Sequence, residues 1–349
     1  MAVAYNQLNA AVESVILPGV VDLTFKNDPL LAYLRAKRLD TFAGGNSWRE
    51  NFTYDSLPGG SYVKGQKLEM TTNQIMTSLE WTPKLYYSPV VLYLEDMEIF
   101  NAGPAAVVDL ADLQLSTAAK SMSARLSVDL YRHGQNYSGD DRSSKINGIA
   151  EALSDGATAS WDGNTYTTYG GVTRSDVGTA LNSNMTTTGA NSNLNGSKLT
   201  YGYLEKSYNV CCFGDMQPDL GITTNLGMSA FKIAFQPQQV VQVKSPTVGF
   251  LNGVQFNSAT MIQGQYTPGT AGVNDAKLGN YLASAGETLF WLNTDTWKFT
   301  TVASKLFGFG FTGFIPTSND TILQGRYHWA GNVTCNGPKF NFQAYGISA

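Results

Sequence analysis

Hydrophobic and polar positions alternate with a period of two over two early stretches of the chain. In the first, Trp48, Phe52 and Tyr54 fall on one side, and Arg49, Asn51, Thr53 and Asp55 on the other. The second runs through Leu79, Trp81, Leu85, Tyr87, Val91 and Tyr93 as one face. Period two marks strands with one face covered. Between them Pro58-Gly59-Gly60 marks a turning, and the chain stays polar to Thr77 with Lys64, Gln66, Lys67 and Glu69 in it. The pattern predicts a long two-stranded ribbon over residues 46–101. A lone two-stranded ribbon is marginal in water. This one needs a surface beneath it, from its own domain or from a neighbouring copy.

The period then becomes helical. Leu110, Leu115, Ala118, Ala119, Met122, Leu126 and Leu130 make a stripe between Pro104 and Gly134. Pro suits the first helical position, and the acidic residues early and basic residues late suit the macrodipole. A helix over 104–133 would span about 45 Å, long enough to act as a structural backbone, with Leu115, Met122 and Leu126 buried on one face. Ahead of the ribbon, residues 1–45 read as an arm broken at Pro18-Gly19. It carries a brief helix from Pro29 to Leu39 that Asp28 can cap. Downstream, Lys198–Asn209 and Asn225–Phe235 read as helices. Asp219–Thr224, Val254–Gln263 and Thr288–Phe299 read as strands, and strand patterns return through Phe307, Phe309 and Phe311 to the stretches 331–335 and 340–347. No internal repeat is present. The fold class expected is α+β.

Composition changes this picture in one respect. Only 14% of the 349 residues are charged, against about 25% in an average soluble protein. Aromatic residues reach 12%. So little charge protects an isolated surface poorly, which favours a subunit that buries its surface against copies of itself. A net charge of −4 argues against a nucleic-acid reader with a basic patch. Cys211, Cys212 and Cys335 form no disulfide framework and read as reduced thiols. The first 21 residues have no basic region, so no signal peptide is expected. No apolar run approaches the roughly 18 residues of a membrane span.

The search for chemistry comes back empty. Gly308, Gly310 and Gly313 match a dinucleotide pattern, but that motif needs a helix after it, and here aromatic residues alternate and Pro316 follows. His133 and His328 lie in unrelated contexts without metal-ligand spacing. The Cys211–Cys212 pair reads as core. Glu95, Asp96 and Glu98 read as a solvated or interfacial acidic patch. No catalytic residue, metal or cofactor is expected.

Several stretches carry a resemblance. Gly44-Gly45 followed by Trp48-Arg49-Glu50-Asn51-Phe52-Thr53-Tyr54 looks like the entry to an extended loop, and Val90–Asn101 like its exit. Tyr169-Gly170-Gly171-Val172-Thr173-Arg174 resembles a Y-G-G-[IV]-x-R element. Pro218–Thr224, Leu292-Asn293-Thr294-Asp295 with Trp297, and Tyr327–Cys335 also look familiar. In this order they resemble the major capsid proteins of tailed bacteriophages, the Hong Kong 97-type fold family, which encapsulins share.

The resemblance implies an N-terminal arm (1–45), an extended loop (46–101), and a peripheral domain with a spine helix (102–145). An axial domain (146–298) and returning peripheral strands (299–349) follow. It implies a virion protein, made in a host cytoplasm, that assembles with itself as hexamers and pentamers into an icosahedral head. Scaffolding, portal and decoration proteins would be its partners. Double-stranded DNA would be held only weakly and nonspecifically. An arm that starts near Met1 implies a separate scaffolding protein or prior cleavage. Trp48, Lys64, Lys67, Glu69 and Trp81 are the candidate inter-subunit contacts. Lys64 and Lys67 lie in the loop where some relatives form a Lys–Asn cross-link, but no Asn acceptor can be placed, and no cross-link is expected. The alternatives are an encapsulin-like compartment and a carbohydrate-binding β protein.

Overall fold

The structure is a computed structural model that describes residues 28–68, 70–95, 110–135, 142–185, 193–235, 242–244, 252–270, 286–316 and 321–348. The described chain opens on α1 (Pro29–Lys37), and the Asp28 side chain accepts from the Leu31 N–H at 3.1 Å. Leu30, Leu31, Tyr33 and Leu34 bury one side of α1. Next comes β1 (Leu39–Phe42), which pairs in parallel with Phe299–Val302. Residues 28–42 are thus built into the body, because the apolar stripe of α1 and the ladder of β1 both find partners there. Residues 1–27 of the predicted arm lie outside the described residues.

Asp28 is buried and also accepts from the Tyr131 hydroxyl at 3.2 Å. Burial pushes its carboxyl up to about 7. The folded chain therefore keeps a proton that the unfolded chain releases near 3.8. Stability is fully present below that lower value and falls as pH rises through about 7, by a few kcal/mol at ~1.4 kcal/mol per pH unit. Asp28→Asn keeps the cap and removes the titration. The urea midpoint of the variant should exceed that of the parent by a margin that widens from pH 5 to pH 8. A constant margin would contradict a raised Asp28.

The ribbon region resolves into β2 (Trp48–Thr53) and β3 (Met76–Trp81), followed by β4 (Lys84–Tyr93) in another sheet. Leu79–Tyr93 is therefore two strands, separated at Thr82-Pro83, where proline has no N–H for a ladder. The break also inverts the phase. Leu79 and Trp81 are buried, but in β4 Tyr86, Ser88, Val90 and Leu92 turn inward, leaving Leu85, Tyr87, Val91 and Tyr93 exposed. Both sets are rich in apolar residues, so alternation alone could not assign the face.

The predicted backbone helix is described as α2 (Leu110–Tyr131), and its expected start at Pro104 lies outside the described residues. Met122 and Leu126 are buried, Leu115 is half-buried and Ala119 is exposed. Every residue from Leu126 to Tyr131 is buried, the pattern of a helix end enclosed on all sides.

After the short α3 (Ile149–Ala152), a hairpin of β5 (Thr168–Tyr169) and β6 (Val172–Thr173) follows. The next elements are β7 (Asn193–Lys198), α4 (Tyr201–Cys211, capped by Thr200), β8 (Leu220–Thr223) and α5 (Asn225–Phe235). The single strand expected over Val254–Gln263 is a hairpin. After β9 (Gln242–Lys244), β10 (Asn252–Phe256) and β11 (Ala259–Gln263) flank Asn257 at φ 49°, a left-handed turn that Asn tolerates. The strand expected over Thr288–Phe299 is also two, β12 (Glu287–Leu292) and β13 (Trp297–Val302). A 3-10 turn at Thr294–Thr296, capped by Asn293, carries the chain from one sheet to the other. The chain ends on β14 (Gly308–Phe311), β15 (Ile315–Pro316), β16 (Ile322–Cys335) and β17 (Phe342–Ser348).

Two compact units emerge. The smaller holds Tyr87–Met122 and Phe311–Tyr327; the larger holds Lys26–Tyr86, Ser123–Gly310 and His328–Ala349. In the larger unit a mixed sheet in the order β7-β17-β12-β8-β11-β10-β9 carries α4 and α5 on an apolar layer centred on Phe231, Met261 and Trp291. Phe256 stacks on Trp291 at 5.4 Å, and Tyr208 meets the same indole edge-on at 5.7 Å. All four β8 residues are buried, as befits a central strand. The same unit pairs β1 with β13, and β13 with the end of β16. In the smaller unit β15 pairs with the start of β16, and Val90, Leu92 and Ala118 form the buried cluster.

Candidate functional site

The residues with most to say about function lie on the ribbon and at its root. Strands β2 and β3 pair in register from Trp48↔Trp81 to Thr53↔Met76, and Tyr54 N–H donates to Ile75 O at 3.0 Å. The two-stranded part stops there, shorter than predicted; in the segment beyond, Pro58 has no N–H for a ladder and Gly59 and Gly60 have no side chains to pack. Every described residue from Asp55 to Met76 is exposed. A turn at Val63–Gln66 is the local order within it, with Gln66 N–H donating to Val63 O at 2.9 Å. The loop is less polar than its charge pattern suggested. Leu57, Tyr62, Val63, Leu68 and Met70 all stand in solvent, Val63 at 75% and Met70 at 96% exposure.

The five candidate contacts divide accordingly. Lys64 and Lys67 lie on the exposed loop, and among the described residues neither has a carboxylate within ion-pair distance. Glu69 lies outside the described residues. Trp48 is half-buried against Phe42 at 5.1 Å. Trp81 is 2% exposed and meets Tyr169 edge-on at 4.9 Å. It is held inside the chain, anchoring the root.

What holds the root was only partly legible. Glu80 N–H donates to Gly170 O at 2.8 Å. Gly170 and Gly171 have φ of 56° and 79° in the two-residue turn between β5 and β6, a geometry that two left-handed residues fit. A Cβ on Gly170 would lie 2.9 Å from Leu79 Cβ and 3.0 Å from Trp81 Cζ2. Gly170→Ala should therefore loosen the root and destabilise the chain by about 1–3 kcal/mol, read as a lower urea midpoint. Gly171, whose Cβ position is open, should lose about 1 kcal/mol through its positive φ alone.

Behind the turn, the buried Arg174 donates to Tyr166 O at 2.9 Å, Glu151 O at 2.7 Å and Leu181 O, with its guanidinium 5.2 Å from the Tyr169 ring. Burial lowers its pKa. The Tyr169 hydroxyl accepts from Cys335 N–H at 3.0 Å. On the other flank, Glu50 pairs with Lys298 at 3.3 Å. On the exposed edge, a hydrogen bond from Ser47 and the Arg49 guanidinium hold the Glu80 carboxyl below its usual range.

Beside the root lies an open cleft of about 380 Å³ lined by Glu80, Trp81, Lys84, Gln135, Asn147 and Glu151, among others. Glu151 accepts from Gly134 N–H at 3.1 Å, Gln135 Nε2 at 2.8 Å and Asn147 Nδ2 at 2.9 Å. Those donors occupy both its oxygens, so it serves as a bracket between loops and offers no free base.

The other motifs resolve as structure. Gly308 and Gly310 sit in β14, donating to Ser304 O and Leu306 O, and the described residues that follow them form strand and loop. His133 is buried against Tyr166, and His328 lies against Phe307. The three cysteines are free; burial pushes Cys335 up to about 12 and Cys211 upward too. Glu95 takes a hydrogen bond from Thr321; Asp96 and Glu98 lie outside the described residues. Among the described residues no cluster of His, Cys, Asp or Glu is placed to hold a metal, and no helix is long and apolar enough to cross a membrane.

No protein-family model and no curated protein matches the sequence. Solved structures do match. The capsid of cyanophage A-1(L) aligns with a TM-score of 0.67 at 11% identity, over 98% of this chain and 98% of that one. The capsid of a native GTA particle aligns at 0.62 and 8% identity, over 100% and 99%. The encapsulin of the holo-SrpI complex from Synechococcus elongatus PCC 7942 aligns at 0.57 and 9% identity, over 100% and 96%. At such identities the likeness is one of fold, and it runs end to end. The chain has the Hong Kong 97-type fold.

Proposed function

We propose that the chain is the repeating subunit of a closed protein shell, and specifically the major capsid protein of a tailed phage. Its copies would form hexamers and pentamers of an icosahedral head around double-stranded DNA. The observation that carries this reading is the loop from Asp55 to Met76. Every described residue of it is exposed, and it carries large apolar side chains, a surface that makes sense once another copy lies against it. Residues 146–298 would surround the local symmetry axes, and the helix ending at Tyr131 would stiffen the plate. With a net charge of −4, contact with packaged DNA is weak and nonspecific. Scaffolding, portal and decoration proteins complete the set of partners.

Purified protein, alone and co-expressed with a scaffolding partner, should give closed particles by electron microscopy and a fast-sedimenting species. A chain that stays a monodisperse monomer under all assembly conditions overturns the reading. A compartment of the encapsulin kind is the second reading, favoured by a fold likeness that spans all of this chain and 96% of the encapsulin. Particles holding a protein cargo and no nucleic acid would select it.

A further inference from the structure

The root of the ribbon meets the β13–β16 pair through a polar seam. Trp48 and Glu50 share the inward face of β2, since both are half-buried while Arg49 and Asn51 are exposed. The register of β13 with β16 sets Lys298 opposite Thr334 and Thr300 opposite Asn332. Side chains two residues apart in a strand share a face, so these four make two adjacent rungs. Glu50 Oε1 reaches the first rung, where it pairs with Lys298 Nζ at 3.3 Å and accepts from Thr334 Oγ1 at 3.4 Å. On the second rung Asn332 Nδ2 donates to Thr82 O at 3.1 Å. Thr82 follows Trp81, the register partner of Trp48. The second rung therefore lies at the Trp48 end of the ribbon, as the first lies at Glu50.

Three polar atoms on this step are enclosed without a hydrogen-bond partner among the described residues: Trp48 Nε1, Glu50 Oε2 and Thr300 Oγ1. Their neighbours are already engaged. Lys298 is held at the other carboxylate oxygen, and the Asn332 amide is taken up by Thr82 O and by Asn147. Leaving a buried polar group unbonded is costly, and such groups are almost always paired. The three atoms are also complementary. An indole N–H only donates, a carboxylate oxygen only accepts, and a hydroxyl does either. A cation would be repelled by the indole N–H and an anion by the carboxylate, so the occupant is neutral. We infer that one water molecule is bound inside the root, accepting from Trp48 Nε1 and donating to Glu50 Oε2 and Thr300 Oγ1. About three hydrogen bonds is the usual number for an internal water. The water ties β2 to β13 beside the Glu50–Lys298 pair, and the assignment does not depend on the reading of the chain as a shell subunit.

The sign of one substitution in the full chain tests it. Thr300→Val keeps the shape of the side chain and the β-branch that a strand favours, so the variant should fold. Were the hydroxyl enclosed and unbonded, replacing it by a methyl group would leave the urea midpoint unchanged or raise it. With the water bound, the change strips that water of a partner. The midpoint should then fall, matching an unfolded fraction in plain buffer about five- to tenfold larger. Trp48→Phe should lower the midpoint too. The double variant should lose less than the sum of the two, because members of one hydrogen-bond network do not add. Should a variant fail to fold, a density map of the unmodified chain at a resolution that shows ordered water decides. It should hold a peak within hydrogen-bond distance of all three atoms. A Thr300→Val midpoint at or above that of the parent, additive losses in the double variant, or a map without that peak overturns the bound water.

Discussion

Replacing residues 57–73 with a short glycine-containing turn should give a chain that folds but no longer closes shells. The deletion spares β2 and β3, whose register runs from Trp48↔Trp81 to Thr53↔Met76, and it spares Trp81 against Tyr169 at the root. The residues removed are exposed wherever they are described. The monomer should therefore change in stability by less than about 1 kcal/mol, as surface changes generally do. Assembly should suffer far more, because every subunit contact would lose the same apolar loop. Exposed ion pairs from Lys64 or Lys67 would contribute only about 0–1 kcal/mol each. The larger share is expected from Tyr62, Val63, Leu68 and Met70, since fully burying one such side chain is worth about 1.5–3 kcal/mol. Circular dichroism would check the fold and light scattering would follow assembly. Normal shells from the deletion variant would mean the loop has no part in holding copies together.

The second large effect is expected at Arg174. Its guanidinium donates to four buried carbonyls, those of Tyr166, Leu181, Glu151 and, at 3.5 Å, Ala152, and among the described residues no carboxylate is within ion-pair distance of it. Arg174→Ala removes the donors and leaves the acceptors enclosed. At about 1–3 kcal/mol for each group left unsatisfied, offset in part by water entering the gap, the loss should approach 4 kcal/mol. Arg174→Lys should recover little of it, because a compact ammonium cannot span the acceptors that a planar fork reaches. Tyr169 rests on this guanidinium and Trp81 rests on Tyr169, so the damage should spread to the ribbon root and weaken the near-ultraviolet circular dichroism. A urea midpoint equal to that of the parent would show that the carbonyls find other partners.

Much of the fold was legible without coordinates wherever one residue dictates its own neighbourhood. Asp28-Pro29 starts a helix where the cap and the missing N–H require one. Asn225–Phe235 forms the helix expected there.

Long-range pairing was not legible. Leu79–Tyr93 and Thr288–Phe299 each looked like one strand, because β propensity persists across a break at which only the sheet partner changes. The outward phase of β4 was hidden for a related reason. Both of its faces are apolar, so the sequence prescribes a strand there but not which row is covered. That choice fell to the cluster of Val90, Leu92 and Ala118, made by residues distant along the chain. Likewise nothing local marks Arg174 as the bracket behind the ribbon. Its role exists because carbonyls from Glu151, Tyr166 and Leu181 converge on one point, and only the tertiary structure brings them together.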